Sequence, residues 1–144
     1  MATLTFPVIP TGLVVDVAVN VQAALLLPLR SSGTGPSPVQ GRGLIDTGSD
    51  VSAVALPMLQ RLGIPPTQRT TTQSIGGTVA VNVYRVSLHL LDARNVGQPW
   101  FSHASLLVME LASGLPFEAL IGLDVLLSCK LFVDGPARTF RLEF

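Results

Sequence analysis

Charge is scarce in this chain: 9 basic and 9 acidic residues among 144, or 12%, about half the usual share of a soluble domain. The two signs cancel, so there is no general attraction to phosphate backbones or anionic lipid, and a nucleic-acid partner is not expected. A single cysteine, Cys129, permits no intrachain disulfide and no cysteine metal cluster. The two histidines, His89 and His103, have no carboxylate or cysteine at ligand spacing, so no metal is expected. None of the serines sits in a Gly-x-Ser-x-Gly elbow, and Gly41-Arg42-Gly43 is too short to cradle a phosphate. Long apolar runs are also missing. The longest stretches without a charged residue, such as Met1 to Val15 and Thr70 to Tyr84, cover 15 residues and are broken by polar residues or glycine, so no membrane span is expected. The first residues lack a basic segment followed by a continuous apolar stretch, as a signal peptide would need. The expected setting is cytoplasmic and reducing.

What the chain does have is apolar residues, 48% of the total, ample for a core in one domain spanning residues 1–144. Their period is mostly two. Leu13 to Val21 and Thr78 to Leu90 alternate as half-buried strands do, and in the second the apolar phase shifts across Tyr84 and Arg85, predicting a bulge or a change of buried face. Shorter strands are expected at Trp100 to Met109, Lys130 to Val133 and Thr139 to Phe144, with turns at Asp92 to Gly97, Ser113-Gly114 and Asp134-Gly135-Pro136. Two segments read as short helices. Val54 to Leu62 has leucines three apart, Pro57 in a first turn and Gly63 placed to end it; Leu123 to Cys129 has Asp124 near its positive end. Residues 31–38, rich in Ser, Gly and Pro, read as a flexible internal loop with strand material on both sides. The expected fold class is all-β with one or two short helices.

Among the nine carboxylates, Asp46 stands apart. It follows the apolar pair Leu44-Ile45 and precedes Thr47-Gly48-Ser49. A carboxylate at the end of a buried strand is costly unless hydrogen-bonded. Gly48 and Ser49 let the backbone curl so that amide N–H groups point back at it. Alone, Asp-Thr-Gly is ordinary turn chemistry.

Three separated segments give it context. Leu44-Ile45-Asp46-Thr47-Gly48-Ser49 resembles the catalytic loop of the retropepsin-like aspartic proteases. Ser74-Ile75-Gly76-Gly77-Thr78 resembles the tip of that family's flap hairpin, and Ala119-Leu120-Ile121-Gly122-Leu123-Asp124-Val125-Leu126 its second signature, two apolar residues and Gly before a short helix. Leu62-Gly63-Ile64 and the closing Phe132-Val133-Asp134-Gly135 fit bacterial single-domain members. The resemblance implies a retropepsin-like acid protease half-barrel with a flap. The implied activity is aspartic endopeptidase action on peptide or protein substrates, with no cofactor. Such enzymes activate water between two carboxylates sharing a proton. With one Asp-Thr-Gly per chain, the resemblance implies a homodimer in which Asp46 from each copy is catalytic.

It also implies roles for neighbours. Thr47 would reach the partner loop, and Gly48 N–H would hold the carboxylate. Ile75, Gly76 and Gly77 would close over substrate, while Leu120 and Ile121 would pack behind the loop and shape apolar pockets. Two positions depart from the family pattern. Ser49 stands where retroviral members have Ala, and a hydroxyl donating to Asp46 would lower the pair's titration and favour an acidic working range. Leu123 stands where many members carry Arg, so Asp50 loses its expected partner and is left to bind substrate main chain or water. The alternative is a catalytically silent module of the same fold that dimerises or binds peptides. A longer lead before the catalytic loop than in compact retroviral members also leaves open an inactive precursor matured by N-terminal trimming.

Overall fold

A computed structural model of the chain describes residues 3–92, 99–112 and 114–144. Most of the turn expected over Asp92–Gly97, and Ser113 of the second turn, lie outside them. Ten strands and three helices follow one another as β1 (Thr3–Pro7), β2 (Val14–Val21), α1 (Ala23–Ser31), β3 (Val39–Ile45), β4 (Ala53–Ala55), α2 (Leu56–Leu62), β5 (Gln68–Ser74), β6 (Gly77–Leu91), β7 (Pro99–Leu111), β8 (Ala119–Ile121), α3 (Leu123–Leu126), β9 (Lys130–Asp134) and β10 (Thr139–Glu143). The chain is mainly β, as its period of two predicts.

Seven strands form one sheet in the order β2-β3-β8-β4-β7-β6-β5, and β2 also pairs with β6. That extra pairing closes six of the strands on themselves and removes their free edges. Two parallel pairings, β3 with β8 and β4 with β7, sit at the centre of an otherwise antiparallel order. Valines and leucines of these strands fill the interior. Val17, Val19, Val86, Val108, Ala119 and Ile121 are fully buried.

β6 behaves as its sequence predicts. Val81 and Val83 are buried at odd positions, then Tyr84, Val86, Leu88 and Leu90 at even ones, so the buried face changes at Tyr84. A register shift against β7 falls slightly later, where Ala104 and Ser105 face the single Ser87. Before the change, β6 pairs with β5 in a hairpin that ends at Ser74 opposite Gly77, leaving Ile75 and Gly76 as the two-residue tip. Gly77 has φ 113°, a conformation that favours glycine.

A second, three-stranded sheet has the order β1-β10-β9. Phe6 of β1 stacks on Phe140 of β10 with centroids 5.0 Å apart, and Phe144 stacks on Phe101 at 3.9 Å and meets Trp100 edge-on. Both ends of the chain are thus bound to the start of β7 by aromatic contacts.

The helices depart most from expectation: there are three, not one or two. α1 precedes the Ser-Gly-Pro segment where strand material is expected. Its Ala-Ala-Leu-Leu-Leu run is rich in helix formers but has no polar face to reveal a helical period, and none of its residues is buried. The segment after it is hydrogen-bonded back, Gly33 N–H to Arg30 C=O and Thr34 N–H to Leu29 C=O. Around Val54 the expected helix begins two residues late, because Ala53–Ala55 is recruited as β4. From there α2 follows the prediction, with proline in its first turn and Gly63 closing it at φ 67°. α3 stops at Leu126, three residues short of Cys129.

Candidate active site

Asp46 follows immediately after β3. Leu44 and Ile45 lie beside Leu120 and Ile121 of parallel β8, and the Asp46 N–H donates to Ile121 C=O at 2.9 Å. The pairing of two apolar strands therefore carries the carboxylate to the barrel's end, half-buried. There Gly48 N–H donates to Asp46 Oδ1 at 2.9 Å. A Cβ at Gly48 would stand 3.2 Å from that oxygen, so glycine permits the close approach of the amide. Asp46 Oδ2 has no protein partner among the described residues. One oxygen is thus fixed by main chain and the other left available, a geometry in which a carboxylate can exchange a proton.

Ser49 is placed differently from its expectation. Its hydroxyl donates to Val51 C=O at 2.7 Å, bracing the loop without touching Asp46. The expected bond from this hydroxyl to Asp46 is not formed. Thr47 and Asp50 are exposed, and Asp50 enters the network only through its carbonyl, which accepts from Asp124 N–H at 3.2 Å. Leu120 is partly buried on β8, while Ile121 is fully buried behind the loop. Ile75, Gly76 and Gly77 lie on a different element, the tip of the β5–β6 hairpin, with Ile75 fully exposed.

The sequence reading missed the clamp that holds the loop. Asp124, second residue of α3, accepts from Ser52 twice: from N–H at 2.9 Å and from the hydroxyl at 2.6 Å. The same hydroxyl accepts from Gly122 N–H at 2.9 Å. Leu123 N–H adds a bond to Ser49 C=O at 2.8 Å. A Cβ at Gly122 would fall 2.7 Å from Ser49 O and 2.9 Å from Val51 C. Glycine is thus required for the two signatures to meet. Where an arginine at position 123 would tie the second signature to the loop, Asp124 and Ser52 make the connection from adjacent positions. Loss of the Arg was legible in the sequence; a Ser and an Asp 72 residues apart gave no signal of their pairing.

Residues set aside on sequence grounds have other tasks. Arg42, in β3, donates its N–H to Glu118 Oε2 at 2.6 Å. Cys129 gives its thiol to Leu126 C=O at 3.2 Å, and burial raises its pKa. His89 lies between Ser102 and Ser87, at 2.8 and 3.3 Å, and burial lowers its pKa. Among the described residues no group of three or more His, Cys, Asp or Glu side chains converges to hold a metal, and no helix is long and apolar enough to cross a membrane.

An Asp-Thr-Gly loop buttressed by an apolar-apolar-Gly turn, carried on a closed β barrel, defines the aspartic protease class with a retropepsin-like fold. Sequence comparison agrees: a family model described as aspartyl protease matches residues 28–125, and this chain belongs to that family. No curated protein sequence matches it. In structure it is similar to a retropepsin-like aspartic protease from Rickettsia conorii, whose crystal structure aligns over 98% of this chain and 90% of that one at a TM-score of 0.57 and 15% identity.

Proposed function

We propose that this chain is an aspartic endopeptidase whose site is completed by a second copy, each contributing Asp46. The observation that carries the reading is the carboxylate itself, half-buried and fixed by Gly48 N–H at 2.9 Å, on a loop that Ser52 ties to Asp124 and Gly122. One chain supplies one such group, and the chemistry needs two.

Across a twofold axis the pair holds one proton. The ionised Asp46 takes a proton from water as the oxygen attacks the scissile carbonyl, and the protonated Asp46 gives its proton to the carbonyl oxygen, forming a neutral gem-diol. Collapse of the diol breaks the C–N bond, with proton transfer to the leaving nitrogen, and returns one proton to the pair. The titration constants belong to the dyad, not to either residue. The β5–β6 hairpin serves as the flap. Ile75 at its tip, with Gly76 and Gly77, covers an extended substrate, and exposed Thr47 reaches the partner loop. Aliphatic Leu120 and its neighbours favour apolar residues at the cleavage site, and Asp50 contacts substrate main chain or solvent.

The test is cleavage of casein and of a peptide library across pH, with Asp46→Asn and a pepstatin-like transition-state mimic as controls. Activity is expected to vanish in Asp46→Asn and to be blocked by the mimic. Cleavage that survives Asp46→Asn refutes the mechanism; a folded, dimeric parent that cleaves nothing supports the silent-module alternative.

A further inference from the structure

The β5–β6 hairpin leaves the barrel at one point. β7 runs beside β6 from Pro99 opposite Leu91 to Met109 opposite Val83, where the pairing stops. From there to the tip β6 pairs only with β5 among the described residues, and its first four residues are exposed, with burial beginning at Val81. A two-stranded ribbon is marginal by itself, so the contacts at its base decide where its tip lies.

We propose that Glu110 is the strut that fixes this base, a positioning residue whose carboxylate sets where the flap lies over substrate. The proposal rests on the reading of the hairpin as a flap, and it names the group that holds it.

Three observations select Glu110. The first is register. The β6–β7 ladder, continued by one residue, would set Asn82 opposite Glu110. At that point the main chain of β7 is given to β4 instead, with Met109 N–H on Ser52 C=O at 3.1 Å and Val54 beside Glu110. Asn82 N–H meets no main-chain acceptor there, and Glu110 Oε1 accepts it at 3.0 Å. One residue thus offers its main chain to the barrel and its side chain to the arm. The second is the position of the acid. Leu106 and Val108 are buried on one face of β7, and Glu110 takes the next position on that face, partly buried. A carboxylate at the end of an apolar row is costly unless it is bonded. Among the described residues its partner is Asn82 N–H, and no Lys or Arg pairs with it. The third is the opposite edge. Val83 C=O accepts from Thr67 twice, from N–H at 2.7 Å and from the hydroxyl at 3.1 Å. The ribbon is therefore gripped from both sides at Asn82 and Val83, by β7 through Glu110 and by the start of β5 through Thr67, and beyond that pair only β5–β6 bonds hold it. Asn82 and Val83 form the pivot, and Glu110 is the one link between the arm and the barrel that a side-chain change can cut without altering main chain.

The experiment compares Glu110→Ala, Glu110→Gln and Glu110→Asp in the full chain by two readouts. The first needs no substrate: amide exchange resolved by NMR. In Glu110→Ala the Asn82 amide is expected to exchange about tenfold faster, the loss of one hydrogen bond to a charged group, while β6 amides inside the barrel, from Tyr84 to Leu90, exchange as in the parent. The second is steady-state cleavage of a peptide that the parent cuts. A flap that covers substrate less often weakens binding in ground and transition states alike, so KM should rise about tenfold with kcat within about twofold of the parent. Gln keeps an acceptor oxygen at the same reach and should stay near the parent in both readouts, whereas Asp keeps the charge on a shorter stem and should behave as Ala. A merely structural role would lower kcat and the melting temperature in place of this split. Unchanged Asn82 exchange in Glu110→Ala, or a kcat that falls while KM stays, would overturn the proposal. Should Glu110→Ala not fold, the Gln and Asp variants carry the comparison, and equal KM values in the two would overturn it equally. Faster Asn82 exchange beside a parent that cleaves nothing would uphold the strut and sink the catalytic reading instead.

Discussion

Removing Asp124 is the sharpest test of how the Asp46 loop is held. Its carboxylate receives two hydrogen bonds from Ser52, at 2.9 and 2.6 Å, and Ser52 is only 1% exposed. Asp124→Ala leaves a buried N–H and a buried hydroxyl without their acceptor. Hydrogen bonds to a charged group contribute roughly 1.5–3 kcal/mol each, and stranded buried donors add a desolvation cost. Asp124 is itself partly exposed, so water entering the gap recovers some of this, and a net loss of about 3 kcal/mol is expected. For a chain of this size that lowers Tm by roughly 10 °C. Ser52→Ala removes the hydroxyl bonds to Asp124 and Gly122 but leaves the N–H paired, and should cost about 2 kcal/mol. Because the two residues share one network, the double variant should lose less than the sum, with a coupling of roughly 1–2 kcal/mol. Urea unfolding of the four proteins gives the cycle, and kcat of the surviving folded fraction tests whether the Asp46 loop moves with it. Asp124→Asn, which keeps one acceptor oxygen, should fall between parent and Ala in both measurements. Asp124→Ala within 1 kcal/mol of the parent, or strictly additive losses, would refute the clamp.

Three further outcomes follow from the same geometry. Ser49→Ala should leave the acidic limb of the pH–rate profile where it is, since the hydroxyl bonds Val51 C=O at 2.7 Å and not Asp46; a displaced limb would show that the hydroxyl turns to the carboxylate in the working enzyme. Folding stability should be fully present above the ordinary histidine pKa and decline as pH falls through it, because burial holds the His89 pKa below its unfolded value of 6.5 and the unfolded chain then binds the extra proton. The Ser87 hydroxyl already donates to Val21 C=O at 2.8 Å, so it accepts from Nε2–H of neutral His89 and Nδ1 accepts from Ser102. His89→Gln should flatten that part of the stability profile, and an unchanged slope would mean that other groups set it. At high dilution, where any association is lost, the chain should still melt cooperatively, because β1, β10 and β9 pair within one chain; loss of all cooperative unfolding on dilution would show that the terminal sheet needs a second copy.

How much of this was legible in the sequence depended on whether the cause was local. β6 announced its strand, its length and the change of buried face at Tyr84, because alternation is a property of neighbours. Gly63 announced the end of α2 for the same reason. α1 was invisible: Leu25 and Leu27 face solvent while Leu26 and Leu29 are only half-buried, and an all-apolar run carries no period to read. β4 was taken for the start of a helix because three residues are too few to show alternation, and only pairing with β7 and β8 makes them a strand. Asp46 and Gly48 could be found because they share one short turn, and Gly122 because its segment resembles a family signature, although the contacts that require glycine there, with Ser49 and Val51, come from a distant part of the sequence. Ser52 and Asp124 could not, since a polar pair that meets only after folding leaves no mark on either local segment. Ser49 shows the converse hazard. Its sequence position fits a hydroxyl donor to Asp46, yet the loop's curvature sets Val51 C=O within closer reach.

The two sheets divide the work in a way that bears on control. The closed barrel gives the chain a core of its own, with β1 and β10 sealing it through Phe6 and Phe140. Asp46, in contrast, has one oxygen without a protein partner and no second carboxylate beside it among the described residues. On the proposed reading, a domain that is stable as a monomer and competent only as a pair has activity set by the dimer fraction, and at concentrations below the dimer Kd that fraction rises in proportion to chain concentration. Dilution then silences the site without unfolding it.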